Sequence, residues 1–84
     1  MIKIHYFANV REQLGMSTEW LDMLPVPATV ATLMARLGEL HGPRADEVLR
    51  RQRILVAVNQ IVAGPDTLLH DGDEVAFFPP VTGG

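Results

Sequence analysis

The 84-residue sequence predicts an α+β domain in which one main helix packs on a mixed sheet of four or five strands, in the order β-β-α-β-β. Three features carry that expectation. The amino-terminal stretch alternates apolar and polar residues. The middle of the chain repeats apolar residues at helical spacing. The carboxyl-terminal third holds short apolar runs separated by turn residues.

Residues 2–8 read Ile-Lys-Ile-His-Tyr-Phe-Ala. Ile2, Ile4 and Tyr6 fall on one face of an extended chain and Lys3, His5 and Phe7 on the other, which predicts a half-buried first strand. Residues 9–16, with Asn9 and Gly15, read as a loop. From Ser17 to Leu24, Glu19, Leu21 and Met23 alternate imperfectly with Thr18, Trp20 and Asp22. Pro25 and Pro27 end that second strand, because proline donates no ladder hydrogen bond. Thr29 offers a hydroxyl to cap a helix. Val30, Leu33, Met34, Leu37 and Leu40 then form one apolar stripe, and Gly42-Pro43 stops it. A short helix over 44–50 would turn Val48 and Leu49 inward. Ile54-Leu55-Val56-Ala57-Val58 suits a central strand covered on both faces, or one covered by a helix. Asn59-Gln60 closes it as a turn, and Ile61-Val62 restarts a brief extended piece. Asp71-Gly72-Asp73 signals a turn, and Glu74-Val75-Ala76-Phe77-Phe78 is the last strand. Two hairpin-like pairs flanking one helix describe the β-grasp, or ubiquitin-like, roll. Residues 1–78 are expected to be that domain and residues 79–84 an extended tail.

Composition narrows the function classes. A chain this short buries about 60–65% of its unfolded surface, enough for one core but not for a second domain or a deep cavity. With 48% hydrophobic and 20% charged residues, it reads as globular rather than disordered. The net charge is −3 and Lys3 is the only lysine, which speaks against a basic nucleic-acid-binding face. The absence of cysteine excludes a disulfide framework, a thiolate metal site and a cysteine nucleophile. No apolar run approaches the roughly 18–20 residues of a membrane span. The amino end lacks the layout of a secretion signal. The expectation is a cytoplasmic protein with no membrane or nucleic-acid partner.

The chain closes on Pro79-Pro80-Val81-Thr82-Gly83-Gly84. Two prolines bar helix and ladder pairing and favour the stiff polyproline II form. Two glycines follow, with no side chain and wide backbone freedom. Six residues reach at most about 20 Å, against a radius of gyration of roughly 12 Å for a domain of this size. The tail can therefore project clear of the body and thread a narrow channel. Its one unusual group is the carboxylate of Gly84, a poor electrophile until something else activates it. Any residue with a Cβ in place of glycine would widen the threaded strand and crowd the acyl carbon. On Gly-Gly alone, a frayed end with no role stays open.

The stretch from Asp71 to Gly84 resembles the carboxyl-terminal signature of the small, sulfur-carrying subunit family of molybdopterin synthase. Ile2-Lys3-Ile4, Phe7-Ala8 and Val10-Arg11-Glu12 are similar to that family's start, and Ala57-Val58-Asn59-Gln60 to its middle strand and turn. Residues 16–53 carry little of the likeness. The resemblance implies a ubiquitin-like carrier. An adenylating partner activates Gly84 with ATP, and a sulfur donor converts the terminus to a thiocarboxylate. Pro79, Pro80, Val81, Thr82 and Gly83 insert into the active site of the large synthase subunit. Sulfur then passes to cyclic pyranopterin monophosphate to build the molybdopterin dithiolene. It also implies an assembly of two large and two small subunits, docking through Phe7, Val62 and Phe78, no cofactor bound by the chain itself, and no catalytic residue beyond the terminal carboxyl. A carrier without cysteine must hold its sulfur elsewhere, and the terminus is the one candidate. Runner-up readings are a thiazole-synthesis sulfur carrier, a ubiquitin-like modifier joined to lysines, and a binding module with an inert tail.

Other candidates read as structural. His5, His41 and His70 lack metal-ligand spacing, and no metal site is expected. Asp71, Asp73 and Glu74 lack calcium-loop spacing and suit a turn. Arg44, Arg50, Arg51 and Arg53 make a small basic cluster whose default is a solvated face, with docking as the alternative. Neighbours 77 and 78 of a strand point to opposite faces. If Val75 and Phe77 are core, Phe78 points outward. Beside a neighbouring first strand it would join Phe7 in one apolar patch.

Overall fold

The computed structural model describes residues 1–22 and 27–80. Five strands form the main sheet in the order β2-β1-β7-β4-β5. β1 (Ile2–Tyr6) and β7 (Glu74–Phe78) lie side by side and parallel. β2 (Thr18–Leu21) pairs antiparallel with β1, and β4 (Leu55–Val58) runs antiparallel to both β7 and β5 (Ile61–Ala63). The expected mixed sheet is present, with the carboxyl-terminal strand at its centre. The apolar run at Ile54–Val58 is therefore not the middle strand. Val56 and Val58 pack on the core from its helix side, whereas on the other side Ala57 is buried and Leu55 stays exposed.

One sheet face carries the core. Ile2, Ile4, Tyr6, Val75 and Phe77 are fully buried there, against Val30, Leu33 and Leu37 of α2 (Val30–His41). Thr29 caps that helix as its sequence predicts. Its hydroxyl accepts from the Thr32 N–H at 3.2 Å, and the Thr32 hydroxyl oxygen accepts from the Thr29 N–H at 2.8 Å. Leu40 departs from the expected stripe and is exposed. Gly38 is buried instead, because α3 (Pro43–Asp46) folds back against that side of α2. Gly42, at φ 92°, makes the reversal, and Pro43 opens α3. A π-helical turn, Glu47–Arg51, continues it and buries Val48 and Leu49 as expected.

Three local features differ from the sequence reading. Residues 9–16 are not simply a loop. The first strand stops at Tyr6, Phe7 is the extended residue before α1 (Ala8–Leu14), and Gly15 at φ 73° closes that helix. Val10 is fully buried and Leu14 packs on the core, an i,i+4 pair that anchors α1. The second strand is shorter than residues 17–24, and residues 23–26 lie outside the described part. A two-residue ladder pairs β3 (Ala28–Thr29) with β6 (Leu68–Leu69), which no local pattern announced.

The turns follow their chemistry. Asn59 and Gln60 both take positive φ, 50° and 70°, as a two-residue hairpin turn between β4 and β5 requires. Asn59 ties this turn to β7: its Nδ2 donates to Asp73 Oδ1 at 3.0 Å, and its Oδ1 accepts from the Glu74 N–H at 3.0 Å. Asp73 also accepts from the His70 N–H, so Asp71-Gly72-Asp73 is a turn as expected.

Tyr6 and the α2 end meet in a polar contact inside the core edge. The Tyr6 hydroxyl donates to Glu19 Oε1 at 2.8 Å, and His41 Nε2 lies 2.8 Å from Glu19 Oε2. Burial, then the hydrogen bond to Glu19 and the charge of that carboxylate, push the Tyr6 phenol well above its ordinary value of 10.0. Among the described residues, no helix is long and apolar enough to cross a membrane.

Two outcomes follow for stability. A Cβ at Gly38 would stand 2.7 Å from Asp46 Oδ1 and 3.3 Å from the Asp46 Cα. Gly38→Ala should therefore lower the unfolding free energy by about 1–3 kcal/mol by crowding α3, despite a helix-propensity gain of about 1 kcal/mol. A denaturant midpoint at or above the parent's would contradict it. Tyr6 is the only tyrosine. Because the fold favours its neutral form, its contribution is intact below pH 10 and lost as pH rises above that value. Phenolate absorbance should appear only together with alkaline unfolding. A separate titration near pH 10 in the folded protein would contradict it.

Candidate tail and docking face

The carboxyl-terminal strand is held on both sides, to Phe77 by β1 and to Phe78 by β4. Tyr6 pairs with Phe77, and the Phe7 N–H donates to the Phe77 carbonyl at 3.0 Å. Leu55 pairs with Phe78 from the other side. Pro79 and Pro80 come next, half-buried, and supply no N–H, so the ladder ends at Phe78. The chain must leave the sheet there. Of the expected tail, Pro79 and Pro80 are placed in this way, while Val81, Thr82, Gly83 and Gly84 lie outside the described residues.

The sheet face opposite α2 carries no helix among the described residues. Strand alternation and register assign it Lys3 and His5 from β1, Thr18 and Trp20 from β2, Glu74, Ala76 and Phe78 from β7, Leu55 and Ala57 from β4 and Val62 from β5. Phe77 is fully buried with its ring 5.9 Å from that of Tyr6. Phe78 accordingly points the other way and is half-buried. The next step of the β1–β7 register sets Phe7 beside it. Phe7 is 47% exposed and stacks on His5 at 6.0 Å between ring centroids. Val62, two strands away on the same face, is 67% exposed. The three residues expected to dock thus share one face, and that face borders the point where the tail leaves.

Four further members of this face carried no signal in the sequence. Leu55 was hidden in a continuous apolar run, although its alternation with Val56 and Val58 assigns it to the open side. Trp20 is 60% exposed, with Lys3 Nζ 5.2 Å from its ring centroid. Ala76 and Ala57 face each other across β7 and β4, and the short side chain of Ala76 lines a shallow depression beside Phe7.

The remaining candidates are placed as follows. His5 Nε2 is 3.4 Å from Glu74 Oε1, His41 meets Glu19 at the end of α2, and His70 is exposed beside its turn. Among the described residues, no three histidine or carboxylate side chains stand together as a metal site. Arg44, Arg50, Arg51 and Arg53 are exposed, and Arg50 pairs with Asp46 at 3.1 Å.

Comparison with known proteins bears directly on this arrangement. The sequence pattern of the ThiS family matches residues 4–84. A molybdopterin synthase sulfur carrier subunit from Escherichia coli K12 is 44% identical over 87 residues, covering 100% of both chains. One of the same name from Haemophilus influenzae is 34% identical, again over the full length of both. The crystal structure of SAMP1 from Haloferax volcanii superposes with a TM-score of 0.78 at 30% identity, covering 99% of this chain and 98% of that one. These are β-grasp proteins, and the architecture above is the same.

The two adjacent phenylalanines should separate in measurement. Phe77→Ala should cost about 3–5 kcal/mol of stability by emptying the core. Phe78→Ala should cost clearly less, because its ring leaves a partly solvated face. Equal losses in denaturant unfolding would contradict the assignment of faces.

Proposed function

The chain belongs to the ThiS family, and from that premise we propose that it is the sulfur carrier subunit of a molybdopterin synthase, with the terminal carboxyl of Gly84 as its working group. The supporting observation is the termination of β7. A central strand, paired to Phe77 on one side and to Phe78 on the other, hands the chain to two prolines at the border of an exposed apolar face. A body built this way fixes the origin of the last residues and leaves their chemistry to visiting enzymes.

In the proposed cycle an activating enzyme supplies ATP. The Gly84 carboxylate oxygen attacks the α-phosphorus and expels pyrophosphate, giving an acyl-adenylate. Sulfide-level sulfur (HS⁻) released by a sulfur donor attacks the acyl carbon and AMP leaves, which yields the thiocarboxylate. The carrier then docks on the large subunit through Phe7, Val62 and Phe78. The tail from Pro79 to Gly84 enters that subunit's active site, and sulfur passes to cyclic pyranopterin monophosphate. Glycine at 83 and 84 keeps the threaded segment narrow. The chain binds no cofactor of its own in this scheme, acts where the activating enzyme acts, in the cytoplasm, and joins an assembly of two large and two small subunits.

A second reading has one specific support. SAMP1, the structural relative, is titled a small archaeal modifier protein, so transfer of the activated terminus to a lysine is the competing fate.

Intact mass after incubation with ATP, an activating enzyme and a sulfur donor decides between them. Replacement of one terminal oxygen by sulfur is the expected result. Lysine conjugates without sulfur gain would favour the modifier reading, and an unchanged mass would leave the tail inert. Gly84→Ala, or one added carboxyl-terminal residue, should leave unfolding unaltered and stop sulfur transfer. Normal transfer by either variant would contradict the threading argument.

A further inference from the structure

We propose that the depression in the open sheet face receives an arginine side chain of the large subunit, and that Glu74 is the residue that selects it; this rests on the docking reading above. The depression is lined by His5, Phe7, Gln60, Glu74 and Ala76. Its depth comes from Ala76, which His5 flanks on one side and Ala57 on the other. Glu74 stands in its wall with a half-exposed carboxylate.

The charge at Glu74 is poorly matched within the chain itself. In the β1–β7 register Glu74 lies opposite Lys3, and opposite charges in such a cross-strand pair attract. Lys3 does not take that role. Its ammonium sits over the Trp20 ring, on the β2 side of β1. Asp73, the neighbouring acid, is engaged by Asn59 and the His70 N–H. Among the described residues, the Glu74 carboxylate keeps only His5 Nε2, at 3.4 Å, near the limit of a hydrogen bond. An acidic group is therefore left at the end of the open face away from the tail, where docking would strip its water and make an unpaired charge costly.

Arginine fits this setting better than lysine. A guanidinium can pair with a carboxylate through two parallel N–H donors and lie flat on an aromatic ring. Both elements are present: the Glu74 carboxylate and the exposed ring of Phe7, nearly parallel to His5 at 15°. A lysine ammonium would meet the charge as a point contact, without the two parallel donors or the flat stacking surface.

Binding of the full chain to the purified large subunit, measured by titration calorimetry at low and at physiological salt, tests the proposal. Glu74→Gln keeps the side-chain shape and removes the charge. It should weaken binding about ten- to hundredfold and flatten the salt dependence. Phe78→Asp, outside the depression, should weaken binding at both salt concentrations. Unaltered binding by Glu74→Gln beside weakened binding by Phe78→Asp overturns the arginine site and leaves the docking face standing. Parent-like binding by both variants overturns the docking face and the site with it. Phenylglyoxal modification of the large subunit supplies a second readout. The parent chain should protect one arginine that Glu74→Gln leaves reactive, and identical protection by the two would overturn the assignment.

Discussion

β7 pairs in parallel with β1 on one edge and antiparallel with β4 on the other. Both of its edges are consumed by hydrogen bonds, so its course cannot shift without breaking two ladders at once. Its amino end is pinned as well, through Asn59 to Asp73 and Glu74. Between those pins, Val75 and Phe77 fill the core under α2. At the other end, two residues without an N–H follow Phe78 and end the pairing. The position and direction in which the chain departs are thus set by a strand paired on both edges and pinned at its start. A reactive terminus needs that: a fixed base for a segment that must reach another protein's active site.

The same strand separates folding from recognition by alternation. Successive residues point to opposite faces, so Val75 and Phe77 serve the core while Glu74, Ala76 and Phe78 reach the open face. A partner surface can therefore be elaborated beside the departing tail without disturbing the packing beneath it. The open face is not uniform. Its tail end carries Phe7, Phe78 and Leu55, whereas its other end carries the charged pair positions Lys3 and Glu74. In the proposed docking, apolar area supplies adhesion at one end and the Glu74 charge, left over from the Lys3–Trp20 contact, supplies selectivity at the other.

Much of this was legible in the sequence because it rests on local periodicity. The alternation of Ile2, Ile4 and Tyr6, the Thr29 cap, the Gly42-Pro43 stop and the opposite facing of Phe77 and Phe78 each follow from one short stretch. What escaped depends on distant residues. α1 has only Val10 and Leu14 to anchor it, and a seven-residue helix owes its stability to packing rather than to its own sequence. The β3–β6 ladder joins residues forty apart in the chain. Leu55 sits in a run with no alternation to read, and its exposure depends on its place at the start of β4 on the face away from α2. The contact among Tyr6, Glu19 and His41 joins three separate elements. The depression at Ala76 exists only once β7 lies between β1 and β4.

The account stands on the claim that the folded body presents a terminus which itself carries the sulfur. The most direct measurement is the carbon resonance of an isotope-labelled Gly84 carboxyl, followed by NMR before and after activation and sulfur loading. That resonance should move from the carboxylate to the thiocarboxylate position while the amide signals of β1, β7 and α2 stay in place. Uptake of labelled sulfur with the Gly84 carboxyl resonance unmoved would contradict the claim.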